Sequence, residues 1–142
     1  MRKNKKEINK MTIDVFTCVT QNNSGYTNFI NSFKKYKGWN VITIGKNKKW
    51  KGWITRMILY RDTALWISQN KDPKHIIVFL DGYDILCISD SKEFKEKFEK
   101  KGYPIIIGGE NNCIQYINCR KATKWQSYHE IYNKYPNGGC II

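Results

Sequence analysis

"IIVFLDGYDILC", Ile76 to Cys87, sets five consecutive strongly apolar residues against two aspartates, Asp81 and Asp84, with a glycine and a tyrosine between them. A short β-branched and aromatic run bounded by turn residues reads as a strand buried on both faces. Such strands belong to parallel sheets covered by helices on either side, so the flanking sequence should alternate strand with helix.

It does so in both directions. Toward the N-terminus, Ile54, Met57, Ile58, Leu65 and Trp66 mark a helix that stops before Pro73, because the residue preceding a proline is biased away from helical backbone. "WNVITIG" (39–45) predicts a strand, and the basic, aromatic "KNKKWKGW" (46–53) a loop. Tyr26, Phe29, Ile30 and Phe33 recur at helical spacing and run out near Gly38. "TIDVFTCV" (12–19) predicts the first strand, closed by the polar loop "TQNNSG".

Beyond the aspartates, Asp90 and Glu93 have capping-box spacing, Phe94 and Phe98 make an apolar i, i+4 edge on a charged helix, and Gly102 is placed to end it. "YPIIIGGE" (103–110) predicts a fourth strand. From Asn111 to Tyr135 the pattern is polar with scattered aromatics, and "YPNGGCII" ends on an apolar run. Strands alternating with helices imply a mainly parallel α/β sheet with crossover connections. A chain of 142 residues suits one domain, read as 11–142 behind a basic tail at 1–10.

Composition narrows the function classes. Twenty-five basic residues against 12 acidic ones give a formal charge of +13, a general attraction for phosphates, nucleic acid or anionic surfaces. Only four of the 25 are arginines, and no nucleic-acid motif accompanies them. Five cysteines form no CxxC pair and the two histidines, His75 and His129, lie far apart, so a Cys/His zinc site is unsupported. Dispersed cysteines within apolar runs suit reduced thiols. The sequence contains neither a signal-peptide core nor eighteen consecutive apolar residues, which predicts a cytoplasmic protein without a membrane span.

Ligands of open parallel sheets bind beyond the carboxyl ends of the strands. The "DGYD" turn falls at that edge, where Asp81 and Asp84 can converge on a hard divalent cation that in turn binds phosphate oxygens. As bare residues they have a second reading, common for aspartate: Asp81 caps the next segment or makes the turn and Asp84 is solvated. Lys51, Arg56 and Arg61 either face a phosphate or lie on a solvated helix face.

These residues together resemble a family. "IIVFLDGYDILCISDSKEFKEKFEKKGYPIIIGGENNC" is similar to the glycosyltransferase domain of procollagen lysyl hydroxylases and the related collagen galactosyltransferases. There an apolar strand runs into Asp-x-Tyr-Asp, then a charged helix with paired phenylalanines, then a strand ending in Ser-Ala-Glu with a nearby cysteine. Asp81, Tyr83, Asp84, Phe98, Glu110 and Cys113 fall in the corresponding places. Trp50 and Gly52 resemble the family's Trp-x-Gly loop, and Asn137 with Gly139 resembles its Asn-Ser-Gly-Gly segment, with Gly138 in place of the serine.

The resemblance implies a Rossmann-like GT-A fold of the nucleotide-diphosphosugar type, incomplete at the C-terminus. It implies Mn²⁺ on Asp81 and Asp84, a UDP-sugar donor (UDP-glucose or UDP-galactose), uridine against Trp50 and Tyr83, and the sugar near Asn137 and Gly139. Its acceptor would be hydroxylysine in a collagen-like protein. The family's glycine-rich segment between Trp50 and the third strand is missing here. Past the Asn-Gly-Gly segment the family continues through an acidic stretch and a metal-binding histidine, to which His129, lying before that segment, does not correspond. Two alternatives to an active transferase stand: from the missing segments, a truncated, inactive relative, either a degenerate product or a sugar-nucleotide-binding module that acts with a second chain; and, from the +13 charge and the lysines interleaved with tryptophans in "KNKKWKGW", a basic nucleic-acid-binding protein. A giant-virus origin would place the chain in the host cytoplasm. No catalytic residue is assigned.

Overall fold

The computed structural model of the chain describes residues 12–110 and 135–141. The basic tail and the polar stretch from Asn111, with Cys113 and His129, lie outside the described residues.

Five strands and three helices are arranged in the order β1 (Ile13–Cys18), α1 (Ser24–Lys34), β2 (Trp39–Ile44), α2 (Trp53–Asn70), β3 (Ile77–Leu80), α3 (Ser91–Lys101), β4 (Ile107–Glu110) and β5 (Tyr135–Ile141). They form one sheet ordered β2-β1-β3-β5-β4. Strand β1 pairs in parallel with β2, Val15 opposite Val41, and with β3, Val15 opposite Val78. The apolar run at the C-terminus is a strand that enters antiparallel between β3 and β4. The sheet is thus mainly parallel, α/β and Rossmann-like, as the alternation of patterns predicts.

Helices cover both faces because β1 alternates its side chains between two cores, every one of its residues being buried. Ile13 and Val15 point to the core built on Phe29 and Phe33 of α1, with Val78 below and Phe94 of α3 at the margin. Phe16 and Cys18 point to the opposite core, with Tyr60 and Ile67 of α2 and Phe79 of β3. Aromatic contacts extend the first core outward: Phe29 to Phe33 at 4.8 Å, Phe33 to Trp39 at 5.5 Å, Trp39 to Phe94 at 5.3 Å between ring centroids.

Two details depart from the sequence reading. The residues that mark α2 in sequence, Ile54, Met57, Ile58, Leu65 and Trp66, are exposed, whereas Arg56, Tyr60 and Ile67 are buried. Apolar residues are spread around this helix, so its periodicity has no phase and the packing partner selects the face. Asp90 makes no side-chain cap on α3. Its Oδ1 accepts instead from the Lys37 amide at 2.5 Å, and Ser91 N–H donates to the Lys37 carbonyl, which fastens the start of α3 to the turn before β2. Glu93 pairs along the helix with Lys97. Gly102 closes α3 in the left-handed conformation, φ 70°, as expected.

At the amino end of the sheet, buried Asp14 accepts from Asn40 Nδ2 at 2.7 Å and meets His75 Nε2 at 2.9 Å. These contacts join β1 to β2 and to the entrance of β3, far from the carboxyl ends of the strands.

Candidate functional site

The chain leaves β1 for β2 on one side and later returns to β3 on the other. That reversal makes the carboxyl ends of β1 and β3 the switch point of the sheet, the place at which open α/β sheets bind ligands. The turn carrying Asp81 and Asp84 emerges there. It lies so close to β1 that a Cβ on Gly82 would stand 2.4 Å from Thr17 Oγ1 and 2.6 Å from Val19 Cγ2. Glycine is needed for this approach. It brings the turn against β1 rather than out into solvent.

Within the turn, Asp81 Oδ1 accepts from the Tyr83 amide at 3.0 Å, a side-chain turn of the kind aspartate favours. Its other oxygen, Oδ2, lies 2.8 Å from Arg56 Nη2. Asp84 is exposed and joins no ion pair among the described residues. Tyr83 donates its hydroxyl to the Gln21 carbonyl at 3.0 Å, which ties the turn to the loop after β1.

Arg56 is the residue that the sequence pattern undervalues. It is not on a solvated face: its side chain is 7% exposed, in the first turn of α2, with its guanidinium carbon 4.8 Å from the Trp53 ring centroid and 5.9 Å from that of Trp50. The Trp-x-Gly loop thereby reaches the aspartate turn through one cation. A cation at a helix N-terminus opposes the helix dipole, and an arginine in the first turn of α2, where acids are favoured, was the available sequence signal. Arg61 instead pairs on the surface with Asp62.

Two buried titratable groups, Cys18 and Tyr60, lie near Arg56. Burial raises the Cys18 thiol pKa, with the nearby guanidinium pulling it back and Asp81 adding to the rise. Burial likewise raises Tyr60, to about 12, against the lowering effect of Arg56; its hydroxyl donates to the Leu80 carbonyl, the residue before Asp81.

The remaining sequence-assigned residues come from β5. Its register sets Cys140 opposite Leu80, so Asn137 and Gly139 run alongside the exit of β3 toward the turn. The fold therefore brings Asp81, Tyr83 and Asp84 together in one turn and Trp50 to it through Arg56, while Asn137 and Gly139 lie on β5, whose pairing with β3 is at Phe79–Ile141 and Leu80–Cys140.

Two hard carboxylates in one turn, one of them open, fit part of the oxygen ligand set of a divalent cation. Among the described residues no third His, Cys, Asp or Glu completes a cluster with them. For a cation to take both oxygens of Asp81, Arg56 has to yield its place.

The family model of the PLOD GT domain matches residues 9–139. The chain belongs to the PLOD GT domain family. Relatives in this family include procollagen-lysine,2-oxoglutarate 5-dioxygenase of Drosophila melanogaster, 32% identical over 137 residues that make up 92% of this chain and 18% of the relative. The multifunctional procollagen lysine hydroxylase and glycosyltransferase LH3 of Rattus norvegicus is 25% identical over 75% of this chain and 15% of its own length. The corresponding Caenorhabditis elegans enzyme is 29% identical over 70% of this chain and 14% of its own. This PLOD GT family chain thus spans less than a fifth of the length of these relatives. No helix among its described residues is long and apolar enough to cross a membrane.

Proposed function

We propose that this chain, through residues 11–142, is the nucleotide-binding part of a metal-dependent glycosyltransferase. It takes a UDP-sugar, UDP-glucose or UDP-galactose, and serves transfer to hydroxylysine of a collagen-like protein. Family membership supports the reaction class. The observation that carries the site is the Asp81–Asp84 turn, pressed by Gly82 against β1 at the switch point with the Asp84 carboxylate open.

Asp81 and Asp84 would hold the cation, Mn²⁺. When bound, it supplies neutralisation of the charge that builds on a departing diphosphate. The protein's own residues supply position and a preformed floor. Trp50, 44% exposed, offers a ring face suited to stacking a base, and Tyr83 is fixed at the same edge by its bond to Gln21. Asn137 and Gly139, on β5 beside the turn, are suited to the sugar.

Calorimetry with UDP in the presence and absence of Mn²⁺ tests the proposal. Binding should require the metal and be lost in Asp84→Asn, whose exposed position leaves the fold intact. A folded sample that binds UDP equally well without metal, or not at all, refutes it.

A further inference from the structure

Arg56 is held in a way that stability alone does not explain. Its side chain is buried, yet among the described residues Nε and Nη1 have no hydrogen-bond partner, leaving Nη2 with Asp81 as the described polar contact of the guanidinium. An unmade hydrogen bond on a buried donor is destabilising, and more so when the group is charged. The indoles of Trp50 and Trp53 stabilise the cation through their faces but do not accept its in-plane N–H groups.

The helix end adds to the imbalance. The first turn of α2 contains no acid, and its N-cap, Gly52, provides no side-chain acceptor. The positive end of the dipole thus lies in the same turn that carries the buried cation. Three features ask for an anion with several oxygens, and Asp81 supplies one oxygen of one carboxylate.

We propose that Arg56 is a phosphate-binding residue, and that its pair with Asp81 is a resting state in which it stands in for the divalent cation. When a cation takes Asp81, the guanidinium exchanges its carboxylate partner for oxygens of the diphosphate, to which its planar fork of donors is well matched. One charge thereby keeps the empty aspartate neutralised and then joins the metal in holding the nucleotide. This inference rests on the proposed UDP-sugar site and assigns that site its own cation.

The exchange predicts effects of opposite sign from one substitution. In Arg56→Met, Mn²⁺ alone, followed by electron paramagnetic resonance, should bind about tenfold more tightly, because no internal cation competes for Asp81. UDP at saturating Mn²⁺, followed by calorimetry, should bind at least tenfold more weakly. Arg56→Lys should restore part of the UDP affinity. Both affinities within twofold of wild type, or both falling together, would overturn the proposal, since a purely structural arginine would weaken both or neither.

A measurement on the unaltered full chain guards against a variant that fails to fold. The Arg56 Nε–H resonance should shift on adding Mg²⁺ alone and shift again on adding UDP. A chain that binds both ligands without moving this resonance rules out the exchange. Failure of the wild type to bind Mn²⁺ and UDP removes the proposed function and this inference together, whereas normal wild-type binding with unresponsive Arg56 removes only the inference.

Discussion

Replacing Asp81 by asparagine keeps the shape of the turn and removes its charge, and the geometry sets the cost. One oxygen accepts from the Tyr83 amide at 3.0 Å and the other faces Arg56 Nη2 at 2.8 Å. An asparagine has one oxygen for these two donors, so either orientation sets its NH₂ group against another donor. Arg56, which has no partner at Nε and Nη1 among the described residues, then loses its counter-ion while 7% exposed. Removing one member of a buried pair costs about 3–5 kcal/mol; with Asp81 at 17% exposure, where water gives some relief, about 3 kcal/mol is expected. Arg56→Met should cost less, about 1–2 kcal/mol, because Asp81 retains the Tyr83 amide and rehydrates. Adding Asp81→Asn to Arg56→Met should then cost little more, a coupling of about 2 kcal/mol. Urea denaturation monitored by tryptophan fluorescence measures all four corners of the cycle. An Asp81→Asn chain within about 0.5 kcal/mol of wild type, or strictly additive substitutions, would show that the pair carries no such energy.

The packing sets other expected outcomes. Phe29→Ala should destabilise the chain by about 3–5 kcal/mol, read from the shift in urea midpoint, because Phe29 is fully buried among Ile13, Val15, Phe33 and Val78. Gly25→Ala would place a Cβ 2.6 Å from the Tyr83 carbonyl oxygen, backbone against which α1 has no slack; a loss of about 1–3 kcal/mol is expected, with weakened Mn²⁺ binding as the turn is pushed off β1. Tyr60 should make the fold sensitive to alkali. Its pKa is raised to about 12 in the fold, so between about pH 10 and 12 the unfolded chain gives up this proton while the folded chain keeps it, and stability falls by about 2 kcal/mol. Below about pH 10 the group contributes no slope. Tyr60→Phe should remove this alkaline component in pH-dependent denaturation, while costing about 1 kcal/mol for the unpaired Leu80 carbonyl.

Much of this architecture is legible locally. The run Ile76–Leu80 cannot face water on either side, so it demands a central strand and helices above and below, and the Asp-x-x-Asp turn after it has to lie at the carboxyl edge. Gly102 and Pro73 mark helix ends through backbone chemistry that needs no partner. The aromatic spacing of Phe29 and Phe33 likewise states which face of α1 is buried. In each case the side chain's own sterics or hydropathy suffices.

The face of α2 is different. Ile54, Ile58 and Leu65 are as apolar as Tyr60 and Ile67, and the choice between them depends on which side of the sheet the crossover places the helix and on Arg56 reaching Asp81. Asp90 has capping-box spacing but is taken by Lys37, 53 residues away, because α3 must dock beside α1. The antiparallel entry of β5 between β3 and β4 is also a pairing choice that no local propensity contains.

Periodicity and turn chemistry act over a few residues, and they suffice for the alternation of strand and helix, the parallel sheet and the position of Asp81 and Asp84 at its edge. They do not reach the contact of Gly82 with Thr17, the meeting of Trp50 with the site through Arg56, or the fact that Asp81 already has a cation as its partner. Those contacts join residues from β1, the β2–α2 loop, α2 and the turn after β3, and their energies depend on distance and burial, which exist only once the strands have taken their order.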